Sequence, residues 1–168
     1  PKKNTPRVLK AYSDYLKQSG QKLPLLIADL KEDAVDRILE EEKITEIKSY
    51  IHFPGYIANT DLPALYGGAF AFLYPSLRES FGIPMLEAMA CGTPIIAGNT
   101  SAMPEIAGEG ALLVNPFNTK DITEKILQLE NDETFYQQQV EYGLKRSQQY
   151  SWRSTAKSLL DIYKEFAK

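Results

Sequence analysis

The sequence is poor in the residues that staple small domains or gather metals. Its 168 residues include one cysteine, Cys91, and one histidine, His52. A lone cysteine excludes an internal disulfide and suits a reducing compartment. With no His/Cys cluster and no Asp-x-Asp motif, no bound metal is expected. No apolar run approaches the length of a membrane span, and nothing resembles a signal peptide. The formal charge is only -3, from 19 Lys and Arg against 22 Asp and Glu, so no basic footprint for nucleic acid stands out. That charge lies unevenly: residues 1–24 are basic, while 29–46 carry eight acids against three bases and read as a solvated helix face. Internal repeats and low-complexity linkers are absent too. The first residue is proline rather than methionine, which makes a piece of a longer protein the expectation.

What is present is ordinary globular material, 43% hydrophobic and 24% charged, in a length that supports one domain with a real core. Helical and extended segments alternate, which predicts βα units around a parallel sheet, an α/β fold. Asn4 and Thr5 can cap a first helix with Pro6 in its first turn; Val8, Leu9, Tyr12, Tyr15 and Leu16 recur at helical spacing before Gly20. Residues 23–30 read as a buried strand with Asp29 at its end, 32–48 as mostly helical, and 50–53 as a short strand closed by Pro54-Gly55. Asp61 or Thr60 caps a short helix through Tyr66. Residues 69–74 are nearly all apolar, as expected for a strand covered on both faces. A helix over 84–91, a strand over 94–97, a short helix over 104–107 and a last strand over 111–114 follow. From about Thr119 the chain reads as helical to its end, with Trp152 opening a final amphipathic helix.

The chemistry concentrates between Pro75 and Glu105. Glu79 and Glu87 stand with seven residues between them, one on each side of a turn that opens a helix. Gly82 frees the turn and Pro84 suits the first helical position; Gly92 and Pro94 close the helix and launch the apolar run Ile95-Ile96-Ala97. A strand feeding a glycine turn and then a helix exposes unpaired N–H groups at a dipole-positive end, which attracts anions. Two carboxylates facing that anion would repel it. They fit instead as acceptors for hydroxyl groups carried by the same ligand, and a ligand with phosphates and many hydroxyls is a nucleotide sugar.

This segment resembles the E-x7-E motif of the retaining glycosyltransferases with the GT-B fold, specifically glycosyltransferase family 4, the "group 1" transferases. Lys3-Asn4, the run His52 to Ile57, Asp61-Leu62, Tyr66, Ala69, Pro75-Ser76, the block Glu79 to Ala90, Pro104-Glu105 and Tyr150-Ser151-Trp152 fall in that family's order. The resemblance therefore covers nearly the whole chain. It implies a Rossmann-like doubly wound parallel sheet, the C-terminal half of a GT-B fold. Residues 1–168 would form a single donor-binding domain, with the acceptor-binding N-terminal domain outside the sequence. The family's domain begins with a central strand before the Lys-Asn pair, so this sheet is expected to lack its first strand. The expectation is about five strands with a gap or exposed edge where that strand would lie. Asp29 departs from the glycine usual after the family's second strand.

The resemblance also implies roles. Glu87 is the ribose ligand; the alternative at residue level is stabilisation of the helix N-terminus, worth about 0.3–1 kcal/mol. Glu79 approaches the donor-sugar hydroxyls, or else is a loop acid, solvated or paired with Arg78. Backbone amides around Ser80, Phe81 and Gly82 meet the sugar hydroxyls and phosphate. Lys3 stabilises the leaving diphosphate as the glycosidic bond breaks, and the arginine that the family places a few residues upstream is not in this sequence. Tyr56 and Ile57 stand where the family contacts the base. Thr100 and Ser101 either bind phosphate or cap the helix at Pro104. Glu105 reads as a first-turn acid, His52 as structural, and Cys91 as a core residue without a local base.

The implied activity is metal-independent, retaining transfer of a sugar from a nucleoside diphosphate to an acceptor hydroxyl, with closure onto the second domain. The nucleoside-diphosphate sugar is the donor substrate and no cofactor is implied. The acceptor, a glycan, lipid or small molecule, is reached through the second domain. The location implied is cytoplasmic, with the cytoplasmic face of a membrane as the alternative for a peripherally associated full-length protein. Two other classes compete: a glycosidase with carboxylates about 5–9 Å apart, and a non-catalytic module that holds a nucleotide or a partner. For this chain alone, binding without transfer is the expectation. Base, sugar and acceptor are not legible in the residues.

Overall fold

The computed structural model describes residues 2–28 and 30–166, so the expectation for the loop at Asp29 lies outside the described residues. Helix α1 (Thr5–Gln18) precedes β1 (Leu25–Leu26), α2 (Glu32–Glu42), β2 (Ile51–His52), α3 (Leu62–Gly68) and β3 (Phe72–Tyr74). Then come α4 (Ile83–Ala90), β4 (Ile95–Gly98), α5 (Met103–Ala107), β5 (Leu112–Val114), α6 (Thr119–Asn131), α7 (Glu133–Ser147) and α8 (Trp152–Phe166). All strand pairing is parallel, as βα units require. The five strands among the described residues do not form one sheet. They divide into a β1–β2 pair and a β3–β4–β5 sheet, and among the described residues no ladder joins the two.

Side-chain alternation on β4 explains how the larger sheet is buried. Ile96 points into one apolar cluster, while Ile95 and Ala97 point into another on the opposite face. The first cluster takes Leu9, Tyr12 and Tyr15 of α1, Val35 and Leu39 of α2, and Ile122, Ile126 and Leu129 of α6. The second takes Met85, Ala88 and Met89 of α4 with Met103 and Ile106 of α5. The sheet is thus covered on both faces, as its apolar runs implied. The first cluster also contains Ile51 of β2 beside Ile96 and Val114. One helical layer therefore packs on both sheets and holds them together across the break.

Several boundaries differ from the sequence reading, each for a local reason. The strand expected over 23–30 is reduced to Leu25–Leu26, which pairs only with β2. Helix α2 stops at Glu42 because Lys43 turns left-handed at φ 57, and a 3-10 turn over Thr45–Tyr50 replaces the rest of the expected helix. The helical run from Thr119 is broken where the Asp132 side chain accepts a hydrogen bond from Phe135 N at 2.9 Å and starts α7 afresh. Cys91 ends α4 and is half-buried, not a full core residue. His52 supplies backbone pairing in β2 and leaves its side chain exposed. Helix α8 opens at Trp152 as expected, yet every residue of it is exposed, so its amphipathic pattern buries nothing. No helix among the described residues is long and apolar enough to cross a membrane.

Candidate functional site

After Tyr74 the chain leaves β3 at the C-terminal edge of the sheet, where open parallel sheets offer their loops to ligands. The loop that follows, 75–79, is fastened at Pro75, Leu77 and Glu79. Asn4 is buried, and its Nδ2 donates to the carbonyls of Pro75 at 3.0 Å and Pro116 at 2.6 Å, tying the start of α1 to the loops after β3 and β5. Asn4 adopts φ 59 and makes no side-chain cap, so its expected capping role is replaced by this bridge. Leu77 N–H donates to the Lys2 carbonyl at 2.8 Å. Thr100 Oγ1 donates to the Leu77 carbonyl at 3.2 Å. Ser101, held at φ 60, accepts from Glu79 N–H at 3.2 Å and donates its hydroxyl to the Glu79 carbonyl. The loop also lies down closely on β4: a Cβ at Gly98 would stand 2.7 Å from the Ser76 carbonyl oxygen.

These fastenings bring Lys3 and Glu79 together. Lys3 Nζ donates to Glu79 Oε1 at 2.7 Å and to the Tyr74 hydroxyl at 3.2 Å, and it lies 4.8 Å from the centroid of the Tyr74 ring. Burial works against the charge on Glu79. Hydrogen bonds from Lys3, Ser76 and Tyr74, with the Lys3 charge, outweigh it and hold the carboxyl below the usual carboxylate range. Burial likewise opposes the charge on Lys3, but its contacts with Glu79 and Tyr74 carry its pKa above the ordinary lysine value. Burial pushes the Tyr74 phenol up against the downward pull of Lys3. Glu79 is therefore neither a solvated loop acid nor the partner of Arg78; its ion-pair partner is Lys3.

The other sequence candidates are disposed differently. Glu87, the fifth residue of α4, is exposed, and its carboxylate has no hydrogen bond or ion pair among the described residues. Gly82 caps α4 at φ 99, while Pro84 takes the second helical position, not the first. Ser80 and Phe81 are exposed beside it, and Phe81 meets the Tyr150 ring edge-on at 5.8 Å. Thr100 and Ser101 commit their hydroxyls to the 75–79 loop and do not cap α5, whose N-terminus has no side-chain cap. Tyr56 is 88% exposed in the loop between β2 and α3 with Ile57 half-buried beside it. Among the described residues no hydrogen bond or ring contact joins Tyr56 to Lys3, Glu79 or Glu87. Tyr74, Ser76 and Gly98 were missed in the sequence. A tyrosine closing an apolar strand directly before Pro75-Ser76 was the signal available for the first.

Comparison with known proteins identifies the family and the fold. The model of the family "Glycosyl transferases group 1" matches residues 1–146. O-antigen chain mannosyltransferase B of Escherichia coli is 34% identical over 166 residues, which are 98% of this chain and 43% of that protein. The chain thus spans less than half the length of that relative. Among solved structures, the C-terminal domain of the glycosyl transferase group 1 family protein LpcC from Francisella tularensis aligns with a TM-score of 0.74 at 25% identity, covering 88% of this chain and 79% of that one. Anabaena HepE in complex with UDP-glucose aligns with a TM-score of 0.78 at 18% identity, covering 93% of this chain and 44% of that one. The chain belongs to the glycosyl transferases group 1 family and has the Rossmann-like fold of the C-terminal domain of GT-B enzymes.

Proposed function

We propose that this chain is the donor-binding domain of a retaining hexosyltransferase of glycosyltransferase family 4. It holds a nucleoside-diphosphate sugar for transfer to an acceptor hydroxyl with the anomeric configuration kept. The observation that carries this reading is the contact of Lys3 with Glu79 at 2.7 Å on the C-terminal edge of the sheet. It sets a cation suited to a diphosphate beside a carboxylate suited to sugar hydroxyls. Glu87, open on α4, takes the ribose hydroxyls, and the amides of Ser80, Phe81 and Gly82 meet phosphate and sugar. As the anomeric C–O bond breaks, Lys3 stabilises the charge gathering on the leaving diphosphate, whose oxygen takes the acceptor proton. Neither glutamate acts as a covalent nucleophile, and the counter-charge is a side chain's, not a metal's.

The name of the Escherichia coli relative makes mannose the first sugar to try, while Anabaena HepE was seen with UDP-glucose. Tyr56 and Ile57 are proposed at the base. The acceptor belongs to the rest of the full-length protein, so this chain alone binds donor without transferring it. The glycosidase alternative requires one carboxylic acid kept protonated near neutral pH; Glu79 is shifted the opposite way and is unsuited to that acid role, and the cation paired with it favours a phosphate ligand. The test is ligand-observed NMR with UDP, GDP, ADP and dTDP, alone and as sugar conjugates. Selective binding that disappears in Glu87→Ala is the expected result. Binding to no nucleotide, or binding indifferent to Glu87→Ala, would refute the proposal.

A further inference from the structure

Lys3 and Glu79 neutralise one another, but they are held unequally. Glu79 is 17% exposed against 61% for Lys3. The Glu79 backbone is fixed at both its N–H and its carbonyl by Ser101. Lys3 is the freer member, an exposed side chain on a strap anchored through the Lys2 carbonyl and Asn4. A diphosphate that comes to Lys3 therefore meets a competitor of its own charge that cannot move aside. A bare diphosphate takes the lysine and leaves Glu79 without its counter-ion next to an anion. A diphosphate that carries a sugar brings hydroxyl donors to that carboxylate as it takes the lysine.

Resting on the donor-domain reading, we infer that Glu79 is a specificity-determining residue. By competing for Lys3, it makes the site discriminate against bare diphosphates in favour of sugar-bearing ones. Donor binding exchanges one ion pair for two ligand contacts. Loss of the sugar restores the ion pair and helps expel the nucleoside diphosphate. No further group is required for this exchange, since no covalent bond changes in it.

The test is calorimetric titration of the chain and two variants, Glu79→Gln and the double variant Lys3→Met/Glu79→Gln. The probes are inorganic pyrophosphate, UDP, GDP and the sugar conjugates of both nucleotides. Glutamine keeps the shape and an acceptor oxygen while removing the charge, and circular dichroism reports the fold of each variant. Glu79→Gln is expected to bind pyrophosphate and bare nucleoside diphosphates about two- to fivefold more tightly, the range set by a largely exposed ion pair. The sugar conjugates gain nothing or weaken, so the preference for them falls, and the gain for pyrophosphate vanishes once Lys3 is also replaced. Pyrophosphate binding that is unchanged or weaker in Glu79→Gln overturns the inference whatever the nucleotide sugars do. So does pyrophosphate binding to neither protein, or a gain that survives the loss of Lys3. A Lys3-dependent gain for pyrophosphate with no nucleotide-sugar binding by any form refutes the donor-domain reading, and the sugar selectivity with it, while the competition for Lys3 stands measured.

Discussion

A methyl group placed on Gly98 tests how the site loop is seated. A Cβ there would stand 2.7 Å from the Ser76 carbonyl oxygen, 3.2 Å from the Met103 Cε and 3.5 Å from the Pro116 Cβ. The methionine tip can turn away. The Ser76 carbonyl cannot, because its neighbours Pro75 and Leu77 are fastened to Asn4 and to the Lys2 carbonyl. Gly98 lies outside the left-handed region, so alanine meets no backbone strain and the penalty is steric. Overpacking of this kind costs about 1–3 kcal/mol, and in a domain of this size each kcal/mol moves Tm by about 2–4 °C. Gly98→Ala is therefore expected to lower Tm by about 2–12 °C. Because the displaced backbone carries Glu79 away from Lys3, nucleotide-sugar affinity falls as well, at temperatures where the variant is fully folded. Gly20→Ala is the control, since no atom lies within 4 Å of a Cβ at Gly20; its stability should match or slightly exceed that of the parent. Thermal unfolding followed by circular dichroism, with nucleotide titration at a lower temperature, measures both. A Gly98→Ala protein that melts and binds like Gly20→Ala would refute the view that close approach to β4 seats the loop.

Three further outcomes rest on contacts elsewhere in the fold. Asn4→Ala removes a buried donor from two carbonyls and puts alanine at φ 59, so urea unfolding should show a loss of about 2–4 kcal/mol; a loss below about 1 kcal/mol would contradict the bridge. Glu130 accepts from the Tyr15 hydroxyl at 2.5 Å, from Ser19 Oγ at 2.8 Å and from Gly20 N–H at 3.1 Å. Burial pushes this carboxyl up, but those bonds outweigh it and its pKa lies below the ordinary 4.5. The folded state therefore favours the ionised form. That stabilisation is complete above the unfolded value and is lost as pH falls through the lower folded one. Glu130→Gln should be less stable at neutral pH and should lose less on acidification, and identical acid profiles would rule this out. Finally, a chain ending at residue 151 should melt within about 2 °C of the full chain, because every residue from Trp152 to Phe166 is exposed; a fall of more than about 5 °C would show that α8 contributes to this domain's stability.

The division between sequence and tertiary structure follows the range of the interactions involved. The helices and strands were legible because side-chain periodicity is local: the spacing of Leu9, Tyr12, Tyr15 and Leu16 places them on the buried face of α1 wherever that helix goes. The glycine turn at Gly82 and the helix after it were legible for the same reason, as was the family, whose residues stand in order along the chain. Exact helix ends were less so, since Lys43 turning left-handed and Asp132 capping α7 are outcomes of local competition that the apolar pattern does not encode. The separation of Glu79 from Glu87 by seven residues was plain in the sequence. That Glu79 is engaged while Glu87 stands open was not. Lys3 meets Glu79 across 76 residues and Asn4 reaches Pro116 across 112. Tyr56 stands apart from both. Such contacts depend on which strands lie side by side and where the sheet is interrupted. That is a property of packing the whole chain, which no short stretch of residues carries, so only the tertiary structure decided it.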